Sequence, residues 1–326
     1  MALLGNLAGL ARSLAVTALA RRRRGPLAPG WTLLMEALFA QVRRELDAMA
    51  ILTPEEQRAR MESMTLPSPI FRRVQVELAL SGGVRGEWIT PRGTAPSRRV
   101  LFIHGGGYVT GGLRGYRELA ARIALEAQAR VFSLEYRLAP EHPFPAAADD
   151  ALAALRFLIA QGDPATLALA GDSAGGALCA AALVAQRDSG GPLPACAALL
   201  CPWMDVSFTA ASIATNEATD LLGRPTAERW CALYLNGADQ RDPRASPVHA
   251  DLRGLPPLLV QVGALEMALD DATAFAGNAR TAGVQVTLEV EPAMPHDWHL
   301  MAAALPQARA SLSRIGQFVR AHAAPG

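Results

Sequence analysis

Short apolar runs alternate with longer, helix-compatible stretches through most of this chain. The apolar runs predict strands near residues 100–103, 130–134, 167–170, 195–200, 258–262 and 284–290. Helices are predicted between and after them, near residues 115–128, 146–160, 174–187, 271–282 and 305–321. Strands that alternate with helices form parallel crossover units, so the pattern predicts an α/β fold with a mostly parallel sheet and helices on both faces. The segment from Val74 to Ile89, interrupted at residues 81–83, predicts two antiparallel strands before that sheet.

A serine stands between two glycines where one predicted strand meets the next predicted helix. The sequence Gly171-Asp172-Ser173-Ala174-Gly175 follows the apolar run 167–170 and opens the small-residue run 174–187. A turn this sharp needs positions without bulky side chains two residues before and after the serine. Strand, G-x-S-x-G and helix together predict a nucleophile elbow that exposes the hydroxyl of Ser173. A glycine-rich βα turn of another doubly wound fold is the structural alternative.

A serine nucleophile needs donors for the oxyanion, and a glycine run supplies them here. His104 and three glycines, Gly105 to Gly107, follow the predicted strand 100–103. Consecutive glycines allow several backbone N–H groups to turn toward one point. Without the serine motif downstream, a run of glycines would indicate only a flexible turn after the strand. The N–H of Ala174, the residue after the serine, is expected to donate as well.

The base is expected to be a histidine late in the chain, because the order in this arrangement is serine, acid, histidine. His296 and His299 both follow the predicted strand 284–290. His296, in a proline-punctuated loop, is favoured over His299. The two lie three residues apart, but no further cysteine or histidine lies nearby, so a metal site is not expected.

Three carboxylates compete for the role of the acid after the predicted strand 258–262. Glu266 lies in the loop at the carboxyl end of this strand, at the edge where Ser173 and His296 also emerge. Asp270 and Asp271 are expected to cap and begin the next helix. Glu266 is therefore favoured, with the two aspartates as the alternatives and Asp205 as a more distant one.

These motifs give the chain a resemblance to a known family. HGGG at 104–107, GDSAGG at 171–176, EYRLAPE at 135–141 and CPWMD at 201–205 occur in the order found in the hormone-sensitive-lipase-like bacterial esterases of the α/β-hydrolase superfamily. The resemblance covers residues 98–322. It implies the α/β-hydrolase fold, the catalytic residues Ser173, Glu266 and His296, and an oxyanion hole formed by the backbone of Gly106, Gly107 and Ala174.

The resemblance also implies a helical cap that helps to form the acyl pocket. We expect the cap to comprise residues 1–70, with further cap residues around 205–235, and the catalytic domain to comprise residues 71–326. The first twenty residues are mostly apolar, with Arg12 as their single charged side chain, and Arg21 to Arg24 come after them, whereas a signal peptide carries its charge in front. An amphipathic helix continued by residues 31–49 is expected instead, with the four arginines as a solvated boundary.

Composition and charge fit one large enzyme domain. The 326 residues carry 31 basic and 30 acidic side chains, a net charge of +1, which gives no global attraction to nucleic acid. The four cysteines show no ligand-like spacing and, without an export signal, are expected to be reduced in a cytoplasmic protein. No stretch is expected to span a membrane.

The expected activity is that of a serine carboxylesterase, which hydrolyses short- to medium-chain acyl esters through an acyl-enzyme. The partner is a small-molecule ester, no cofactor or metal is expected, and a homodimer is considered. Tyr108, Trp203 and Trp298 are the candidates for lining the pocket. Hydrolysis of amides, lactones or carbamates by the same triad stays open, and so does ligand binding without catalysis on the hydrolase scaffold.

Overall fold

A mixed eight-stranded sheet forms the centre of the protein in the computed structural model, which describes residues 2–63, 68–81 and 83–323. The strands are β1 (Val74–Ser81), β2 (Val84–Pro91), β3 (Arg98–Ile103), β4 (Ala129–Leu134), β5 (Leu167–Asp172), β6 (Cys196–Leu200), β7 (Leu258–Gly263) and β8 (Val286–Glu291). Their order in the sheet is β1-β2-β4-β3-β5-β6-β7-β8, with β1 and β2 antiparallel to their neighbours and the other pairs parallel. The predicted sheet is confirmed; of the residues expected to separate β1 from β2, Gly82 lies outside the described residues.

Ten α-helices accompany the sheet in the described part of the chain. They are α1 (Ala2–Arg24), α2 (Leu33–Met49), α3 (Pro54–Ser63), α4 (Leu113–Ala127), α5 (Ala146–Ala160), α6 (Ala174–Asp188), α7 (Ala211–Thr215), α8 (Arg224–Leu235), α9 (Leu269–Thr281) and α10 (Pro306–His322). The five helices predicted after β3 are confirmed to within two residues at each end. No helix among the described residues is long and apolar enough to cross a membrane.

The core lies in two layers, because successive side chains of a strand point to opposite faces of the sheet. Val100 and Phe102 of β3 pack with α4 and α10 on one face. Leu101 and Ile103 pack with α5, α6 and α9 on the other. The central strands are therefore buried on both faces and read as continuous apolar runs in the sequence.

The N-terminal helices contact the segment that contains α7 and α8. Arg43 of α2 donates to the carbonyl oxygens of Glu217, at 2.9 Å, and Asp220, at 2.5 Å. Gln57 of α3 accepts a 2.9 Å hydrogen bond from the indole of Trp230 in α8. The two parts of the chain expected to form the cap therefore lie against each other.

The four arginines that end α1 are not simply a solvated boundary. Arg21 lies 3.4 Å from the buried carboxylate of Glu36 and also donates to the carbonyl oxygen of Trp31, while Arg24 pairs with the same carboxylate. Arg22 and Arg23 are exposed. A buried carboxylate requires paired charges, which explains why two of the arginines turn inward.

Candidate active site

Ser173 occupies the sharp turn between β5 and α6. Its φ of 53° and ψ of −118° are a strained conformation for a residue with a side chain. The backbone approaches Gly171 and Gly175 too closely for a side chain at either position. A Cβ on Gly175 would overlap the carbonyl oxygen of Ile103, and a Cβ on Gly171 would overlap the carbonyl oxygen of Gly175. The elbow therefore places the hydroxyl of Ser173 at the carboxyl edge of the sheet, where the residue is buried and not exposed as expected, with 4% of its surface accessible.

Loops at the same edge bring a histidine and a glutamate to this serine. The Oγ of Ser173 lies 2.8 Å from Nε2 of His296, and Nδ1 of His296 lies 2.8 Å from Oε2 of Glu266. The other oxygen of Glu266 accepts a 2.5 Å hydrogen bond from the N–H of Gly263 at the end of β7. The carboxylate fixes the proton on Nδ1, so the lone pair of Nε2 faces the serine hydroxyl.

The two aspartates that follow Glu266 lie in other interactions. The carboxylate of Asp270 accepts a 2.8 Å hydrogen bond from the N–H of Ser212 in α7, and the backbone N–H of Asp270 donates to the hydroxyl of Ser212. Neither aspartate is the N-cap of α9, which begins at Leu269 after Ala268. Burial raises the pKa of Asp271 to about 8. Asp270 thus links α9 to α7, and of the three candidates for the acid Glu266 is the one that contacts the imidazole.

His299 is buried in a different network. Its Nε2 lies 2.9 Å from Oε1 of Gln261 and 3.1 Å from the hydroxyl of Ser311, and its Nδ1 lies 3.7 Å from Sγ of Cys201. Burial lowers the pKa of His299 to about 3. A neutral imidazole held between β7 and α10 has a packing role.

The glycine loop lies directly against the elbow. A Cβ on Gly105 would approach the Cβ of Ser173 to 3.0 Å, so the loop backbone and the serine are neighbours. Gly106 and Gly107 have φ values of 107° and 58°, which side chains rarely adopt. Ala174 is the first residue of α6. All three expected oxyanion donors therefore belong to backbone segments that adjoin the nucleophile.

His104 holds this loop in place. Its Nδ1–H donates to the carbonyl oxygen of Gly105 at 2.7 Å, and its ring stacks on Tyr136 with centroids 4.2 Å apart. The hydroxyl of Tyr136 donates to the carbonyl oxygen of His104 at 3.1 Å. Burial lowers the pKa of His104 to about 4, so the ring is neutral and braces the loop.

Two further aspartates contact His296, and neither was predicted from the sequence. Asp220, between α7 and α8, accepts hydrogen bonds from the N–H of His296 at 3.1 Å and from the N–H of Met267 at 2.5 Å. Asp297 has a φ of 54°, and its Oδ1 lies 3.2 Å from Nε2 of His296. Asp220 lies 76 residues away from His296 in the sequence, so no local motif could have indicated it.

The acidic surroundings change the proton affinity of His296. Burial alone would favour the neutral ring, but the charges of Asp297, Glu266 and Asp220 outweigh it and raise the pKa of His296 well above its ordinary value of 6.5. Burial also raises the pKa of Asp220, to about 6. The site therefore stabilises an imidazolium, the species that forms when a histidine takes a proton from serine.

A small apolar cavity of about 20 Å³ opens beside His296. Its lining comes from residues 203–227 after β6 and from the loops after β7 and β8: Trp203, Phe208, Ile213, Asp220, Leu222, Ala227, Met267, Ala268 and His296. Trp203 packs edge-to-face on Phe208 with ring centroids 5.2 Å apart. Of the three predicted pocket residues, the structure places Trp203 on this cavity.

The other two predicted pocket residues are not among the lining of this cavity. Tyr108 is buried and stacks on Tyr234 of α8 with centroids 3.7 Å apart. Trp298 is buried and stacks on His299 at 4.0 Å, in the cluster that also contains Trp31. Sequence proximity to the oxyanion loop and to His296 did not show which way these rings turn.

Comparisons with known proteins identify the family of this chain. Residues 100–300 match a family model described as an α/β hydrolase fold. An acetyl-hydrolase from Streptomyces hygroscopicus is 45% identical over 241 residues, 73% of this chain and 80% of the relative. The carboxylesterase NlhH of Mycobacterium tuberculosis is 34% identical over 80% of this chain and 86% of its own length.

Solved structures give the same result. A crystal structure of an esterase from the bacterial hormone-sensitive lipase family superimposes with a TM-score of 0.83 at 43% sequence identity, covering 88% of this chain and 98% of the other. A variant of esterase E40 superimposes with a TM-score of 0.85 at 43% identity, covering 89% and 98%. The chain belongs to the hormone-sensitive-lipase-like family of carboxylic ester hydrolases, within the α/β-hydrolase fold.

Proposed function

We propose that this protein is a serine carboxylesterase for short-chain acyl esters, with Ser173, His296 and Glu266 as its catalytic residues. The observation that carries the proposal is the unbroken contact from Oγ of Ser173 through His296 to the carboxylate of Glu266, with 2.8 Å at each step. The relatives named acetyl-hydrolase and carboxylesterase support the same reaction class.

The reaction has two halves. His296 takes the proton of Ser173 as Oγ attacks the ester carbonyl carbon, and the N–H groups of Gly106, Gly107 and Ala174 stabilise the oxyanion. Collapse of the tetrahedral intermediate expels the alcohol, which receives the proton from His296. Water, activated by the same histidine, then attacks the acyl-enzyme and releases the acid.

Short acyl chains are favoured by the cavity beside His296. Its lining is mostly apolar and the cavity is small, which suits a short acyl chain. The contacts of Arg43 and Gln57 with the segment 205–235 support a cap formed by residues 1–70 and that segment, over a catalytic domain of residues 71–326.

Further properties belong to the same proposal. The four buried free cysteines support a cytoplasmic location. The proposal also includes a homodimer and no binding of nucleic acid. Cell fractionation and light scattering test the location and the mass of the assembly.

Hydrolysis of p-nitrophenyl acetate, butyrate and octanoate tests the activity. Wild-type protein should release a burst of p-nitrophenol that matches the enzyme concentration, with turnover highest for the shorter esters. Ser173→Ala should keep the fold, measured by circular dichroism, and lose both burst and turnover. More than a few per cent of wild-type turnover in this variant would reject Ser173 as the nucleophile.

A further inference from the structure

In the described part of helix α1, two polar side chains are buried while two large apolar side chains are exposed. Ser13 and Thr17 are buried, with 0% and 4% of their surface exposed, and Arg44 of α2 donates to the hydroxyl of Ser13. Val16 and Leu19 are 54% and 56% exposed. A surface helix of a globular protein has the reverse arrangement, with its apolar stripe on the core. The outward side of α1 is therefore suited to a less polar environment than water.

Eight side chains are exposed in the described part of α1, and all of them except Arg24, which pairs with Glu36, form one continuous face. At 100° per residue these seven fall within an arc of about 140°. We call this the α1 outer face, and it consists of Ala11, Arg12, Ala15, Val16, Leu19, Arg22 and Arg23. Along the helix, Arg12 lies near one end of this face and Arg22 and Arg23 lie at the other, with Ala15, Val16 and Leu19 between them.

The charge of α1 has one sign. The helix contains five arginines and no aspartate or glutamate. Arg21 and Arg24 are paired with Glu36, whereas Arg12, Arg22 and Arg23 are exposed and form no ion pair with a described residue. Three unpaired positive charges beside Val16 and Leu19 are complementary to an occupant that is both anionic and apolar.

We propose that the α1 outer face docks on the surface of an anionic lipid bilayer. Val16 and Leu19 enter the boundary between headgroups and acyl chains, and Arg12, Arg22 and Arg23 contact the negative headgroups. A second copy of the chain fits this face less well, because two outer faces would oppose arginines with no acidic residue to neutralise them. The inference is independent of the proposed esterase activity.

Co-sedimentation with lipid vesicles tests this proposal on the full chain. We expect binding to vesicles of phosphatidylcholine that contain phosphatidylserine at about a third of the lipid, and no binding to phosphatidylcholine alone. The triple variant R12Q/R22Q/R23Q should bind the anionic vesicles about a hundredfold more weakly, at about fivefold for each arginine. A control with the same loss of charge on other elements, R92Q/R114Q/R241Q, should bind like the wild type.

A second variant separates insertion from simple charge attraction. V16Q/L19Q should weaken binding while keeping its dependence on salt, because the apolar contact is lost and the arginines remain. Circular dichroism melting shows that each variant is folded. Equal binding by the two arginine triples, or wild-type binding by V16Q/L19Q, would overturn the proposal. A dimer in light scattering that R12Q/R22Q/R23Q dissociates, without vesicle binding, would assign the face to a second copy and also overturn it.

Discussion

Replacing Glu266 with glutamine tests how the catalytic histidine is held. The carboxylate is fully buried and accepts from two donors, Nδ1–H of His296 and the N–H of Gly263. A glutamine has one acceptor oxygen and one NH₂ group, so it can satisfy only one of these donors. Its NH₂ group must face either the imidazole or the backbone N–H, and the negative charge that supports the imidazolium is lost in both orientations.

The size of the effect follows from these contacts. Loss of the charge and of one aligned hydrogen bond should lower kcat about a hundredfold or more, which corresponds to about 2.7 kcal/mol in the activation free energy. One buried donor without an acceptor lowers the free energy of unfolding by about 2 kcal/mol. For 326 residues the unfolding entropy is about 0.7 kcal/mol/K, so Tm should fall by about 3 °C.

The assay is hydrolysis of p-nitrophenyl acetate together with a melting curve for each variant. Asp270→Asn is the matched control, because the amide oxygen can still accept the N–H of Ser212 while the charge is removed. It should lower Tm slightly and leave kcat within about twofold. If Asp270→Asn loses the activity and Glu266→Gln keeps it, the assignment of the acid is wrong.

Two other predictions follow from the surroundings of His296. Because His296 must be neutral to act as a base and its pKa is raised, kcat/KM should rise with pH through an ionisation above the ordinary value of 6.5. Asp297→Asn should move this rise to lower pH. An unchanged profile would show that the 3.2 Å contact with Asp297 does not affect the pKa of His296. Phe208→Ala should widen the cavity and raise the octanoate-to-acetate ratio of kcat/KM by about tenfold, the value of one or two buried methylenes. Phe318→Ala in α10 is the control, and an equal change in that variant would contradict the pocket assignment.

The sequence by itself determined the features that depend on neighbouring residues. Runs of buried strand residues and the helices between them are local patterns, so the order of the strands from β3 to β8 and of five of the helices was predictable, whereas α7 and α8 were not predicted. The elbow at Ser173 and the glycine loop at 105–107 are also local, because their backbone conformations require glycines at fixed spacings. The parallel sheet then places Glu266 and His296 at the same edge as the serine, which made both of them predictable candidates.

Only the tertiary structure decided how distant segments meet. Asp220 reaches His296 from the cap segment, and Arg43 binds the backbone of Asp220 from α2; neither contact has a signal in the local sequence. The directions of the Tyr108 and Trp298 rings, and the outward side of α1, depend likewise on what packs beside them. Neighbours far along the chain set the direction and burial of a side chain. The raised pKa of His296 results from that burial and from nearby charges, so it too follows from the packing of the whole fold.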